Sequence, residues 1–132
     1  MANNTTIFVV DDDREDRMIL NEFFQEIGIA DRVEYFDNGE KAIASLHQTN
    51  EVSELPRLVV MDLNMPILNG TQALLTIKRD SRLKHIPVII LSTSDNEEEK
   101  RKCLSYGAVD YLVKPMSFDE GREIVERFAT YL

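Results

Sequence analysis

Four apolar runs in this chain of 132 residues stop abruptly at groups that could do chemistry. IFVV is followed by Asp11, Asp12 and Asp13, and LVVM by Asp62. VIIL is followed by Ser92, Thr93 and Ser94, and YLV by Lys114–Pro115. Brought to one place, these carboxylates, hydroxyls and the ammonium form a set with a definite chemistry. Two carboxylates ~4 Å apart repel by about 4 kcal/mol at an effective dielectric of ~20, and a cation offsets that cost. Oxygen ligands with no His or Cys beside them favour Mg²⁺, which keeps several waters and takes one or two carboxylates. A divalent ion with open positions next to a lysine is equipment for binding a phosphoryl group.

Whether the groups meet depends on the elements that carry them. Short apolar runs alternate with amphipathic stretches along the whole chain. The runs are Ile7–Val10, Val33–Phe36, Leu58–Met61, Val88–Leu91 and Val109–Val113. The intervening stretches predict helices over Arg14–Ile27, Gly39–Leu46, about Thr71 to Arg79, about Asn96 to Tyr106, and Ser117–Tyr131. Leu20, Phe23, Phe24 and Ile27 recur at helical spacing, and Gly28 stands where a helix stop belongs. Ser94 with Glu97, and Ser117 with Glu120, read as capping boxes. Strands alternating with helices imply right-handed crossovers and a parallel sheet. IFVV, LVVM and VIIL are apolar throughout, as strands buried on both faces are. The expected fold is therefore α/β, a five-stranded doubly wound (βα)5 unit with a parallel sheet. In such sheets ligands gather outside the carboxyl ends of the strands, which is where the reactive residues lie. The exit of the second strand, Asp37, Asn38 and Gly39, reads as an ordinary turn.

Composition narrows the classes of function. The length suits one domain with one sizeable core. No stretch approaches the ~20 apolar residues of a membrane span. The start MANNTTIFVVDDD has neither the basic opening nor the long apolar core of a signal peptide. Cys103 is the single cysteine, so no internal disulfide is possible, and a reducing cytoplasm is the expected setting. The net charge of 15 − 24 = −9 argues against nucleic-acid binding and suits a protein partner or a bound cation.

With Asp11–Asp12 after VV, Asp62 in MDLNMP…NG, Ser92 in PVIILST and Lys114–Pro115 in YLVKP, the chain resembles a response-regulator receiver domain of two-component signalling. The likeness covers about Thr6 to Tyr131 and implies a flavodoxin-like doubly wound (βα)5 fold with a five-stranded parallel sheet in the order 2-1-3-4-5. Within that family the segment HQTNEVSELPR and the pattern IKRDSRLKHIPV most resemble stand-alone receivers of the cyanobacterial phytochrome-partner type. The resemblance implies that Asp62 is the phosphoacceptor, taking a phosphoryl group from a phosphohistidine on a histidine kinase or phosphotransfer protein. It implies Mg²⁺ (or Mn²⁺) bound by Asp12 and Asp62 directly, by Asp11 through water and by the backbone carbonyl of Asn64. Lys114 would pair with a phosphoryl oxygen, Ser92 would sense the phosphoryl group, and Tyr111 matches the aromatic switch, though a plain core tyrosine is an open alternative. The Lys114–Pro115 peptide is expected to be cis. The chain is expected to be one receiver, residues 1–132 with a core of about 6–131 and no output domain. Its signal would then leave through protein contacts, to an unknown downstream target or a homodimer through the helix 4–strand 5–helix 5 face. No activity is expected beyond its own phosphorylation and dephosphorylation.

Other readings of the same residues compete. Asp13 suits the N-cap of the first helix better than the acidic site. His47 and His85 sit in polar surroundings and read as surface residues, and Cys103 as a small buried one. NEEEKRK, residues 96–102, reads as a solvated helix face that also lies on the expected signalling surface. An aspartate-nucleophile phosphohydrolase would have a second acid two residues after the nucleophile, where this chain has Asn64. A flavodoxin-like FMN protein would have a hydroxyl- and glycine-rich loop where this chain has three aspartates. A degenerate receiver acting as a constitutive interaction module would lack a site residue, and none is missing.

Overall fold

The computed structural model describes residues 5–65 and 68–132. Met1–Asn4 of the N-terminal stretch, with Pro66 and Ile67 of the MDLNMP…NG motif, lie outside the described residues. The strands are β1 (Ile7–Val10), β2 (Val33–Phe36), β3 (Leu58–Met61), β4 (Val88–Ser92) and β5 (Asp110–Val113). The helices are α1 (Arg14–Glu26), α2 (Gly39–Gln48), α3 (Gly70–Arg79), α4 (Glu97–Ser105) and α5 (Phe118–Ala129). All strand pairs are parallel, as the alternation of runs predicts, and the sheet order is β2-β1-β3-β4-β5, as the resemblance implies.

Successive strand residues point to opposite faces. Because helices cover both faces of the central strands, β1, β3 and β4 are buried along their whole length. Phe8, Val10, Val59, Met61, Val88 and Ile90 pack with residues of α2, α3 and α4, among them Leu46, Leu74, Ile77 and Cys103. Ile7, Val9, Leu58, Val60, Ile89 and Leu91 pack on the other face with Leu20 and Phe24 of α1 and Val125 and Phe128 of α5. At about 1.5–3 kcal/mol for each fully buried large apolar side chain, these two layers supply the main drive to fold. Cys103 is buried, as its reading predicts, while His47 and His85 are exposed. His47 Nε2 lies 3.2 Å from Asp80 Oδ2.

Caps set where the helices begin, and here the structure corrects one expectation. α4 is capped by Asn96, whose side-chain oxygen accepts from the N–H groups of Glu98 and Glu99, not by a Ser94–Glu97 box. Ser94 Oγ instead accepts from Asn96 N at 3.2 Å, so the serine shapes the turn before the cap. Ser117 does cap α5, accepting from Glu120 N, but the Glu120 carboxylate reaches back to Met116 N rather than to the cap's own N–H. A reciprocal capping box absent from the sequence reading joins Asn69 and Gln72 at α3. Asn38 caps α2 within the turn after β2. Gly28, at φ +80°, follows α1 in the left-handed conformation that favours glycine.

Candidate functional site

The sheet register assembles the acidic cluster. Val10 pairs with Met61 across β1 and β3, so the next residue of each strand, Asp11 and Asp62, exits on adjacent tracks. Asp62 N donates to Val10 O at 2.9 Å, carrying the ladder one step past the strand end. Asp13 leaves the cluster to cap α1, its side chain accepting from Asp16 N at 3.1 Å. Asp11 Oδ1 accepts from Asp13 N, and Arg17 Nη1 donates to Asp11 O at 2.6 Å, so both ends of this acidic turn are held. One carboxylate oxygen from each of Asp11, Asp12 and Asp62 lies within 4.8 Å of the others. Asp11 and Asp62 are buried and Asp12 is exposed, which leaves the cluster open on one side.

β5 delivers Lys114 beside these acids. Lys114 N donates to Ser92 O at 2.7 Å, fixing the exit of β5 against that of β4. Its Nζ lies 2.9 Å from Asp11, 2.7 Å from Asp16 and 3.4 Å from Asp62. Asp16 was not singled out from the sequence. The available signal was an acid three residues after the cap, on the turn of α1 that faces the sheet exits. Contrary to the expectation for Pro115, among the described residues every peptide bond is trans, Lys114–Pro115 included. Trans is the lower-energy form of an X–Pro bond by about 0.5–1 kcal/mol. Lys114 reaches all three of its carboxylates in that form.

Electrostatics follow from this crowding. Burial pushes the Asp62 carboxyl up from 3.8 to about 6, and the negative charge of Asp11 adds to the rise. The Lys114 charge and the Asn64 N–H, which lies 3.4 Å from Asp62 Oδ1, pull the other way without cancelling it. Burial works against the charge of Lys114, but its bonds to Asp16 and Asp11 outweigh that, so it holds its proton more tightly than an ordinary lysine. One ammonium therefore serves more negative charge than it neutralises, and an oxygen-only donor set of this kind fits a hard divalent cation. Asn64 is exposed beside Asp62, in reach of solvent.

The two expected switch residues meet at a third. Ser92 is fully buried, and its hydroxyl oxygen accepts from Ser94 N at 3.1 Å. Tyr111 is buried, and its hydroxyl donates to Ser94 O at 2.9 Å. Ser94 is thus held by its N–H to one residue and by its carbonyl to the other. The hydroxyl of Ser92 is engaged with this loop rather than with Asp62.

A sheet of this order, with three aspartates at the exits of β1 and β3 and a lysine at the exit of β5, has a counterpart among known families. The family model for the response regulator receiver domain matches residues 7–126. The chain belongs to that family. The receiver is 35% identical, over 95% of its length and 81% of the relative's, to the probable methanogenesis regulatory protein FilR2 of Methanothrix harundinacea. It is similar in structure to the phosphorylated cyanobacterial phytochrome response regulator RcpA, with a TM-score of 0.82 and 30% identity over 96% of this chain and 92% of that one. The Mn²⁺-bound form of response regulator Rcp1 aligns with a TM-score of 0.80 and 28% identity, again over 96% and 92%. The likeness to phytochrome-partner receivers that the segment before β3 suggests thus extends to the whole receiver.

Proposed function

We propose that this receiver is a phosphoacceptor: Asp62 takes a phosphoryl group from a phosphohistidine on a histidine kinase or phosphotransfer protein. The observation that carries the reading is a buried carboxylate at the end of β3, flanked by two further aspartates and an ammonium. An Asp62 carboxylate oxygen attacks phosphorus in line with the phosphorus–nitrogen bond. That bond breaks, its electron pair goes to the imidazole, which takes a proton, and a carboxyl–phosphate bond forms on Asp62. Asp11, Asp12 and Asp62 would hold Mg²⁺ or Mn²⁺ with the carbonyl of Asn64, and the ion would supply charge stabilisation to the phosphoryl oxygens. Lys114 binds a phosphoryl oxygen from the β5 side. Ser92 donates to another, a charge-assisted bond stronger than a neutral one. The phosphorylated RcpA and Mn²⁺-bound Rcp1 structures support this reading by their similarity.

The output proposed is a change of protein contacts, with no catalysis beyond the receiver's own phosphorylation and dephosphorylation. When Ser92 turns to the phosphoryl group it releases Ser94 N, and the loop that also accepts from Tyr111 must move. Such a loop couples the site to the α4–β5–α5 face, where a second copy or a downstream target would dock. We place the receiver in the cytoplasm. Among the described residues no helix is long and apolar enough to cross a membrane. The deciding experiment is intact mass after incubation with a small phosphodonor and Mg²⁺. One added phosphoryl group is expected on the wild type and none on Asp62→Asn or without a divalent ion. Equal labelling of the two proteins would remove Asp62 from the role, and no labelling of the wild type would favour a constitutive interaction module.

A further inference from the structure

We infer that Asp16 is a positioning residue: it draws the Lys114 ammonium away from the acids that form the cation site. Lys114 has three N–H donors and three carboxylate neighbours, Asp11 at 2.9 Å, Asp16 at 2.7 Å and Asp62 at 3.4 Å. Two of these, Asp11 and Asp62, belong with Asp12 to the converging cluster, and Asp16 does not. A divalent cation and the ammonium therefore compete for the same two carboxylates and repel each other across them. Asp16 is the partner that stays available to Lys114 when the cluster is taken up, and its contact is the shortest of the three.

The surroundings leave Lys114 little other choice. Its stem lies along a recess lined by Ile19, Leu20, Leu91 and Pro115 together with Asp11 and Asp16, whose carboxylates are the charged partners this recess offers the ammonium. Its backbone is pinned through Ser92 O, so the side chain pivots from a fixed point. Asp16 is equally well anchored, since its N–H donates to the Asp13 cap. Without the Asp16 charge, the ammonium would settle on Asp11 and Asp62 and oppose cation entry. The effect of Asp16 on the cation thus passes through Lys114.

This inference rests on the reading of Asp11, Asp12 and Asp62 as a cation site, and the test separates the two. Mg²⁺ affinity is measured by calorimetry on the wild type, Asp16→Asn, Lys114→Met and the double variant, each checked for folding by circular dichroism. Asp16→Ser provides a second removal of the carboxylate. Asp16→Asn is expected to weaken Mg²⁺ binding about threefold to tenfold, the scale of ~0.6–1.4 kcal/mol in an equilibrium. In the Lys114→Met background the same substitution is expected to change affinity by less than about twofold, because the coupled partner is gone. Unchanged affinity in both Asp16 variants would overturn the inference. So would an equal loss with and without Lys114, which would mean that Asp16 acts on the cation directly through its charge. A wild type that binds no Mg²⁺ would overturn the cation-site reading itself, and this inference with it.

Discussion

Gly70, the first residue of α3, packs directly on the backbone of Asp62. A β-carbon placed there would overlap the Asp62 carbonyl oxygen and come within 2.7 Å of Leu63 Cα. Gly70 N also donates to Leu63 O at 3.0 Å, so the helix start braces the turn that carries Asp62. Gly70→Ala must push backbone against backbone, which a flexible side chain cannot absorb. Overpacking of this kind costs roughly 1–3 kcal/mol or more, and the turn carrying Asp62 should shift with it. Urea unfolding and phosphodonor labelling should both be impaired. An alanine variant as stable and as readily labelled as the wild type would show that this contact is dispensable.

Asp62 makes the stability of the metal-free receiver fall as pH rises. Its folded carboxyl titrates near 6 against an ordinary 3.8, so between these values the folded state binds more protons than the unfolded one. Stability is lost across that window and stays lost above it, by about 3 kcal/mol at ~1.36 kcal/mol per pH unit. Asp62→Asn removes the titration. It should be more stable than the wild type above pH 6, with the advantage vanishing below about pH 4. Denaturant melts at several pH values in the presence of a chelator test this, and an advantage independent of pH would refute the assignment.

Mg²⁺ should stabilise the folded receiver, since the converged carboxylates do not exist in the unfolded chain. At ~100 times its dissociation constant the gain is about 2.7 kcal/mol. Asp12→Ala should abolish the rise in melting temperature with Mg²⁺. Because Asp12 is exposed while Asp11 and Asp62 are buried, its removal should alter metal-free stability little. Thermal melts with and without Mg²⁺ decide the matter, and a rise as large as that of the wild type would exclude Asp12 from the cation site.

On the proposed reading, Ser92→Ala should still take up a phosphoryl group, because Asp62, Asp11 and Asp12 remain. It should lose the phosphorylation-dependent change in self-association or partner affinity. Tyr111→Phe strips the donor from Ser94 O and should cost about 1 kcal/mol in the unmodified protein. Analytical ultracentrifugation with and without beryllofluoride reads the first effect and chemical unfolding the second. A Ser92→Ala protein that responds as the wild type does would rule the hydroxyl out as the sensor.

Much of the receiver could be read in its order of residues. Unbroken apolar runs such as IFVV and LVVM marked buried parallel strands, because helices on both faces leave no polar side to alternate with. The groups just past those runs could be named as one site, because a parallel sheet brings successive strand exits to one edge. Local chemistry was legible where it was short-ranged, as with the Asp13 and Ser117 caps. It misled where two nearby residues could do the same work: Asn96 took the α4 cap expected of Ser94, and each offered one oxygen to neighbouring N–H groups.

What the tertiary structure alone decided were relations between residues far apart in sequence. Asp16 meets Lys114 across 98 positions because α1 packs over the exit of β5. Ser92 and Tyr111 share Ser94 because two adjacent strands deliver them to the same loop. Periodicity and composition report the environment of each residue averaged over a face. They carry no record of which partner lies across the gap, and at this site partner identity sets the hold on Lys114 and the link from Ser92 to Tyr111 through Ser94, while burial, with the charge of Asp11 added, raises Asp62.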